Sequence, residues 1–545
     1  MLNRTATVAV TPARERRLRA RLFDALEAAY SVRFEGREPG ALDGAAGLYA
    51  IGPTAAVAAG SAREAGVPAL IAVGEETDAA GTRWPLALAD HGALARPLRG
   101  ARLSESWVRR TPLLDGTGEA LATIDGAPAW MLHPAGGVVR QSVAAAPAEL
   151  ADGEALRSRL AVGHCLALLA LTQFVIDLTT ECGFQPPPVR AAFVLDDPNL
   201  RWPTYGHVRY GELLRSAAAR RYHTAIAMVP LDAWPAHPRA VRLFREGRAQ
   251  LSICTHGNDH NGPELGRPRS CAEALPLAAQ AIARTAAFER RTGVPVDRVM
   301  VPPHERLSEG TASALVACGF EALCHTRPYP WITQSPDLPW LTRPAGGGPL
   351  VGWRSAEVMS GGLPLLLRRA FDFDREDLSL RAYLGQPLII SGHHDLLEHG
   401  TIALEEGAAQ VNRLGEVQWC SLGEIARSSF ETRRDGDVLQ IRVLGRRISV
   451  DIPAGVRQLN LDLSAFPEAS RFQVRRGASR QTSLGRVDDP VVAVDGPGRV
   501  GLRLPDTLEP VALPNRRLRL RPLARRLVSE GRDRARPMAT RVARG

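Results

Sequence analysis

The chain has 545 residues, of which 45% are hydrophobic and 23% are charged, and its formal net charge is +10. These values are ordinary for a folded globular protein, so they exclude a chain that is disordered throughout or built mainly of membrane spans. Lysine is absent, which excludes enzymes that need one, such as P-loop nucleotide hydrolases, protein kinases and pyridoxal phosphate enzymes. The length predicts three or four domains of roughly 150 residues each.

Cysteine usage and the apolar segments bear on the cellular compartment. The seven cysteines are odd in number, widely spaced and without a CxxC pair, which is typical of reduced thiols rather than of disulfides or a sulfur-ligated zinc. The first residues lack the apolar core of a secretory signal. The longest apolar segment, residues 161–180, carries His164 and Asp177, so it is predicted to be a buried helix rather than a membrane span. We therefore predict a cytoplasmic protein.

Residues 1–150 alternate short apolar strands with helical stretches, as in GLYAIG, TAAVAAGSAREAG and PALIAVG, which predicts a small parallel α/β domain. A hairpin is predicted to turn at Asp125-Gly126. The pattern resembles flavodoxin-like or glutamine-amidotransferase-like accessory domains. A working amidotransferase needs a nucleophilic cysteine, and the first cysteine is Cys165, so we expect a structural or ligand-binding role. Residues 151–188 follow as a helical connector that ends in three prolines.

Strands and helices alternate again in the next segment, residues 189–428. The strand candidates are VRAAFVL, YHTAIAMV, AQLSICT, DRVMV, EALCH, LVGW, QPLIIS and EVQWC. Helical stretches such as residues 271–291 lie between some of them. Seven or eight such strands predict an irregular (β/α) barrel that is closed or nearly closed.

The last part of the chain changes character. Residues 430–514 contain short alternating strands split by turns, which predicts a small antiparallel β-sandwich. Residues 515–545 contain eleven arginines and two acidic residues, a balance of 11 − 2 = +9. We expect a solvated, disordered arm, which could contact an anionic polymer or membrane surface.

Ionisable side chains follow four of the predicted barrel strands at the point where each strand ends. They are Asp196 and Asp197, His256 and His260 in HGNDH, His304 and Glu305 in PPHE, and His393 and His394 in GHHD. The carboxyl ends of barrel strands meet at one mouth, where His and carboxylate side chains could bind a divalent metal, most readily zinc, with a place left for water. One aspartate with His256 and His260 would be the ligands, the other aspartate the general base, and a histidine of the opposite rim the acid.

The ordered motifs resemble the polysaccharide deacetylase family, which includes chitin and peptidoglycan deacetylases, over roughly residues 189–425. The resemblance implies a deacetylase-like barrel and metal-dependent hydrolysis of an acetyl group from a sugar. It further implies these roles: Asp196 as base; Asp197, His256 and His260 as metal ligands; Pro303, His304 and Glu305 as the groove wall, with the His304 amide near the oxyanion; and His393 or His394 as the acid. The family's His-Asp pairing favours His394, and the choice stays open.

Four positions depart from the pattern of that family. Pro198 follows the aspartates in place of Gly, Gly257 replaces a Ser or Thr, Val301 replaces an arginine that steadies the base, and His304 replaces an aromatic residue. The metal site stays plausible, and the substrate is left open. Trp202 and Tyr205, directly after the aspartates, are candidates to stack on sugar rings, whereas Trp331, Trp340 and Trp353 are expected to pack in the fold.

Other interpretations of these residues remain. Asp196-Asp197 before Pro-Asn could be a simple turn, and Glu305 could begin a helix. The whole segment could be a non-catalytic carbohydrate-binding scaffold on a degenerate barrel. It could also be a glycoside hydrolase with Asp196 and Glu305 as its acid and base. The expected partner is a carbohydrate in each case, and no nucleic acid is expected.

Overall fold

The computed structural model describes residues 5–76, 82–106, 114, 117–135, 138–328, 348–359, 361–372, 374–477, 482–494, 496–504 and 520–544. These residues form two compact units. The described residues within Met1–Gln185, Ser335–Arg354 and Arg433–Asp435 make one unit, and those within Pro186–Gln334, Ser355–Thr432 and Gly436–Gly545 make the other. Within the described ranges, no helix is both long enough and apolar enough to cross a bilayer.

The first unit is built on a nine-stranded sheet. Its strands are β1 (Ala6–Thr11), β2 (Val32–Gly36), β3 (Gly47–Ile51), β4 (Ala69–Glu75), β5 (Arg83–Leu88), β6 (Arg102–Ser106), β7 (Glu119–Ile124), β8 (Ala127–Ala135) and β9 (Val138–Ala146). Its helices are α1 (Arg14–Leu18), α2 (Ala20–Ala29), α3 (Ala55–Ala65), α4 (Leu156–Val162) and α5 (Leu166–Leu178). The sheet order is β2-β1-β3-β4-β9-β8-β7-β5-β6. Pairing is parallel from β2 to β9 and antiparallel beyond, so the parallel half has the 2-1-3-4-5 order of flavodoxin-like sheets.

Two local predictions for this unit are confirmed. The hairpin between β7 and β8 turns at Asp125 and Gly126, whose φ angles of 51° and 80° fit the two-residue turn that matches strand twist. The apolar segment forms α5, whose residues are buried on nearly all sides, as expected of a helix without a polar face. Phe174 and Leu178 of α5 lie so close to Gly47 that a Cβ there would come within 3.0 and 2.4 Å of them. Strand β3 therefore needs a glycine at that position.

The second unit contains the barrel. Its strands are β10 (Val189–Asp196), β11 (Thr204–Tyr205), β12 (Val208–Arg209), β13 (Thr224–Met228), β14 (Leu251–His256), β15 (Asp297–Val301), β16 (Ala322–His325), β17 (Glu357–Val358), β18 (Pro364–Ala370), β19 (Leu388–Gly392) and β20 (Val417–Trp419). Its helices are α6 (Tyr210–Arg220), α7 (Pro238–Glu246), α8 (Cys271–Thr292), α9 (Glu309–Ala317), α10 (Arg375–Tyr383), α11 (Ile402–Asn412) and α12 (Leu422–Arg427). Seven parallel strands, β10-β13-β14-β15-β16-β18-β19, close through the pairing of β10 with β13, and β20 pairs with the start of β10.

One predicted barrel strand is wrong and another was missed. Residues 350–353, LVGW, lie in turns. The strand that completes the barrel is β18, PLLLRRA, between β16 and β19. The composition of β18, a Leu run followed by two arginines, does not favour a strand. The segment is a strand because the barrel provides β16 and β19 as hydrogen-bonding partners on its two sides.

Alternation along β10 directs its side chains to two layers. Ala192 and Val194 belong to a cluster of mostly small residues shared with the other barrel strands, whereas Phe193 and Leu195 pack in the layer that contains the helices. Asp196 continues the inner series, because side chains two residues apart share a face. Asp197 follows with φ of 81°, so the backbone turns there and the strand ends. That turn is how two adjacent carboxylates reach the same mouth.

After the barrel, the described residues of 430–503 form a sandwich of two four-stranded sheets. Its strands are β21 (Phe430–Asp435), β22 (Val438–Val443), β23 (Arg447–Ile452), β24 (Gln458–Asp462), β25 (Arg471–Arg476), β26 (Thr482–Arg486), β27 (Val491–Ala493) and β28 (Gly498–Arg503). The sheet orders are β21-β22-β24-β27 and β23-β28-β25-β26, around a common apolar core. The expected antiparallel arrangement needs one correction, because β22 and β24 pair in parallel.

The arginine-rich end of the chain is not a disordered arm. Residues Leu520–Arg544 form the helix α13. Arg526, Glu530 and Asp533 are buried and contact the barrel residues described below. They are spaced i, i+4 and i+7 and so lie on one face of the helix. The prediction failed because the composition indicates charge and not the partners that neutralise it.

Candidate active site

The ends of the barrel strands enclose a polar cavity of ≈ 460 Å³. Its lining includes members of all four predicted motifs, namely Asp196, Asp197, His256, His260, His304, Glu305, His393 and His394. Arg368 of β18 and several residues of α13 complete it. The size is within the range of small-molecule sites. The structure therefore brings these side chains to one cavity.

Asp197, His256 and His260 lie together with the spacing of metal ligands. One possible ligand atom from each lies within 4.8 Å of the other two, and the Asp197 Oδ1 to His260 Nε2 distance is 3.5 Å. The His256 Nδ1 is 2.9 Å from the Val301 carbonyl oxygen. Since a carbonyl only accepts, Nδ1 carries the proton and Nε2 keeps its lone pair for a ligand. The donor set fits a divalent metal of the zinc type.

The protonation states of this triad suit coordination. Burial and the neighbouring His256 lower the pKa of His260 to about 3, against the opposing effect of Asp197, so this imidazole is neutral at ordinary pH. Burial alone would raise the pKa of Asp197, but its interactions with His256 and Arg526 outweigh burial and lower that pKa. A neutral imidazole and an ionised carboxylate are the forms that bind a metal.

A carboxylate that the sequence analysis missed holds the loop between the two histidines. Glu264 is buried and its Oε1 accepts the backbone N–H groups of Asn258, Asp259 and His260 at 2.7, 3.0 and 2.9 Å. Gly257 has φ of 62°, and a Cβ there would come within 2.6 Å of both Glu264 and Pro303. The departure from Ser or Thr at this position therefore has a steric cause.

Asp196 is held by an arginine from a strand that was not predicted. Both carboxylate oxygens of Asp196 accept from Arg368, each at 2.9 Å, and the Arg368 Nε donates to Glu305 at 2.8 Å. Burial by itself would raise the pKa of Asp196, but the Arg368 and His256 charges outweigh it and the pKa is lowered. A bidentate guanidinium also fixes the orientation of a carboxylate. Arg368 therefore holds Asp196 in this structure, whereas position 301 is a valine.

The two candidate acids lie in different surroundings. His394 is buried, its Nε2 is 3.6 Å from the Asp533 Oδ1, and its ring is so close to Gly206 that a Cβ there would meet Nδ1 at 2.4 Å. His393 is exposed and lines the cavity beside both aspartates. It is among the groups whose charge lowers their pKa values against the effect of burial. Of the two candidates that the sequence leaves open, the geometry favours His393.

The remaining predicted contacts divide into accessible and buried groups. Trp202 is 57% exposed and His304 is exposed at the mouth, so both are available to a substrate. Tyr205 is not, because its side chain is fully buried and its hydroxyl donates to Asp533 at 3.0 Å. Pro303 is buried against Gly257. Glu305 precedes α9 instead of starting it, with φ of 52°. Trp353 is buried, and Trp331 and Trp340 lie outside the described residues.

Helix α13 covers part of this mouth through three buried anchors. The Arg526 Nη1 donates to Asp197 at 2.9 Å and its Nε donates to the buried Asp232 at 2.9 Å. Glu530 pairs with Arg201 at 2.9 Å. Asp533 is the third anchor, through the Tyr205 and His394 contacts already given.

Comparisons with known proteins find similarity to solved structures only. No family model and no curated protein matches the chain. A protein from Mycobacterium smegmatis named as a polysaccharide deacetylase is 13% identical with a TM-score of 0.31, over 45% of this chain and 95% of that one. A family 4 acetyl xylan esterase from Clostridium thermocellum in complex with cobalt is 12% identical with a TM-score of 0.25, over 43% and 89%. A family 4 pseudoenzyme from Bacillus anthracis is 12% identical with a TM-score of 0.25, over 43% and 64%. Functional assignment rests on the site itself.

Proposed function

We propose that this protein is a metal-dependent hydrolase that removes acetyl groups from a sugar or glycan precursor. The observation that carries the proposal is the Asp197, His256 and His260 triad beside the Arg368-held Asp196, at the carboxyl ends of the barrel strands. This combination places a candidate metal site and an ionised carboxylate in one cavity. Both are the parts that hydrolysis of an amide or ester needs.

Each residue is given one role in this proposal. Asp197, His256 and His260 would hold the metal, most readily zinc, which when bound supplies Lewis-acid activation of water and of the acyl oxygen. Asp196 accepts the proton of the attacking water, because Arg368 keeps it ionised and oriented. His393 donates a proton to the leaving oxygen or nitrogen. The His304 amide near the oxyanion and Trp202 under a sugar ring are the proposed substrate contacts.

Two alternatives fare differently against the same contacts. A glycoside hydrolase needs one carboxyl group with a raised pKa as its acid, but Asp196 and Glu305 share Arg368, and both pKa values are lowered against the effect of burial. That alternative is disfavoured. A non-catalytic carbohydrate-binding barrel is favoured by one observation, the contact of Arg526 with the candidate metal ligand Asp197.

Metal content and acetate release together test the proposal. The wild type is expected to bind about one zinc and to release acetate from N- or O-acetylated sugar oligomers. Asp196→Asn should keep the metal and lose activity by a factor of 10² or more, whereas His256→Ala should lose both. The exposed His399 provides the control, and His399→Ala should behave as the wild type. Full activity of either site variant would contradict the assignment, and sugar binding without turnover would favour the scaffold.

Further proposals concern the N-terminal α/β unit and the outward side of α13. We retain a structural or ligand-binding role for the N-terminal α/β unit and a cytoplasmic location. The proposed contact of the C-terminal segment with an anionic surface draws on the outward side of α13, where Leu520, Leu527 and Val528 are 76%, 51% and 73% exposed beside exposed arginines. A basic helix with an apolar stripe is typical of interfacial binding. Sedimentation with anionic vesicles that is lost at high salt would support it.

A further inference from the structure

We propose that helix α13 is an intramolecular gate whose docking competes with metal binding at Asp197. The proposal rests on the function proposed above and concerns the regulation of the same site. Its starting observation is that a guanidinium already pairs with the carboxylate that the metal would take, with Arg526 Nη1 and Asp197 Oδ1 2.9 Å apart. A divalent ion and this guanidinium cannot both occupy that position, since like charges so close repel strongly.

The contact of Arg526 belongs to a docked face and is not an isolated surface pair. Arg526 also pairs with Asp232, whose side chain is fully buried. Arg201 links Asp232, at 3.2 Å, to Glu530, at 2.9 Å. These charges alternate in sign from the segment after β13 to the helix, so each buried charge has an opposite neighbour. Buried pairs of this kind are costly to break on one side only.

The remaining anchors, Glu530 and Asp533, contact residues outside the triad. The Glu530 Oε2 accepts from the Asn199 side-chain amide at 3.1 Å. Asp533 contacts Tyr205 and His394, neither of which belongs to the triad. Glu530 and Asp533 therefore help to hold the helix without touching a candidate metal ligand. Their effect on metal affinity can be transmitted only through docking of the helix or through long-range charge.

Thermodynamic reciprocity gives the gate a measurable consequence. If docking of α13 reduces metal affinity, metal binding must weaken docking by the same factor. The apparent metal affinity of the full chain equals the intrinsic affinity of the site multiplied by the fraction of molecules in which the helix is undocked. Variants that weaken docking should therefore bind metal more tightly, and metal should loosen the helix.

Two variants separate gating from simple electrostatics. Arg526→Gln should tighten zinc binding by about tenfold or more, but removal of a nearby positive charge would also favour a cation. Glu530→Gln removes a negative charge, so electrostatics alone would weaken zinc binding, whereas a gate that is less firmly docked would tighten it by about fivefold. Arg521, exposed on the same helix, gives the control Arg521→Gln, which should leave the affinity within twofold of the wild type.

The experiment is a zinc titration of the full chain against a competing chelator, combined with amide hydrogen exchange of residues 520–536 with and without zinc. Tighter binding by both Arg526→Gln and Glu530→Gln, with faster exchange of α13 when zinc is present, is the expected result. Weaker or unchanged binding by Glu530→Gln, or protection of α13 by zinc, would overturn the gate while the metal site remained. Failure of every form to bind zinc would overturn both the gate and the proposed function.

Discussion

The two ends of the barrel shift the pKa of a desolvated aspartate carboxyl group in opposite directions. At the carboxyl ends of the strands, Asp196 is paired with Arg368 and its pKa is lowered in spite of burial. At the opposite end, Asp297 begins β15 and is bonded to the Gly423 amide and the Ser421 hydroxyl, and burial raises its pKa to about 6. Desolvation acts in the same direction on both groups, so the neighbouring cation decides the sign. The aspartate is therefore ionised at the end of the barrel where catalysis is proposed. The opposite end is the one that serves stability in barrels of this type.

The largest expected effect on stability comes from removal of the Arg368 guanidinium at the carboxyl ends of the barrel strands. Arg368→Met leaves Asp196 and Glu305 buried without their shared partner, which should lower the free energy of unfolding by about 3–5 kcal/mol. It should also raise the pKa of Asp196, which would then resemble Asp297. Urea denaturation measures the first effect. The neighbouring Arg369 pairs with Asp377 nearer the surface, so Arg369→Met should cost about 1 kcal/mol or less. If the two variants lost the same free energy of unfolding, Arg368 would have no greater role in stability than Arg369.

The second prediction concerns pH and the opposite end of the barrel. The folded-state pKa of Asp297, about 6, lies above its usual value of 3.8, so the folded protein binds the proton more tightly. Its contribution to stability is present below about pH 4 and is lost as the pH rises to about 6, a change of about 3 kcal/mol. Asp297→Asn should lack this decline, so its stability relative to the wild type should increase across that window. The free energies of unfolding of the wild type and of Asp297→Asn are measured by denaturation at pH 4, 5, 6 and 7.5. A constant difference between the two proteins across these pH values would contradict the prediction.

The smallest expected effect on stability concerns the backbone at Gly257, beside the candidate metal ligands. Gly257→Ala should lower the free energy of unfolding by about 1–3 kcal/mol and weaken zinc binding, because the added methyl meets Glu264 and Pro303 at a left-handed φ. Gly262 has a similar φ of 60° but open space around it, so Gly262→Ala should show only the smaller cost of the backbone angle. Comparison of the two by thermal denaturation and zinc titration separates the steric effect from the conformational one. Similar results for both would show that the tight contact is unimportant.

The sequence predicted the convergence of the strand-end residues because the carboxyl ends of parallel barrel strands share one side. It did not predict Arg368, since β18 was not recognised as a strand. The available signal was alternation, because Arg368 shares a face with Leu366, a member of the inner cluster. Glu264 was missed because its partners are backbone amides, which leave no trace in side-chain patterns. The choice between His393 and His394 depends on a short turn that residue types do not specify.

The C-terminal helix was missed for a different reason. A net charge of +9 over 31 residues favours disorder by composition, but the spacing of Arg526, Glu530 and Asp533 places mixed charges on one face. Such a face has no use in a solvated arm and indicates a charged partner. Here the partner is the mouth of the barrel, which itself carries unusually many buried charges. Neither surface could be interpreted from its own sequence alone.

The Glu264 carboxylate has a consequence for how the site meets its ion. Fixing the backbone of a residue costs about 1–2 kcal/mol of conformational entropy. If the loop between the two histidines were unordered before metal binding, that cost would reduce the binding free energy. Because three consecutive amides are already fixed on Glu264, the loop is preorganised during folding. In the proposed metal site, a cation would therefore meet a backbone that is already ordered, and selectivity among cations would depend on the ligand geometry rather than on adjustment of the loop.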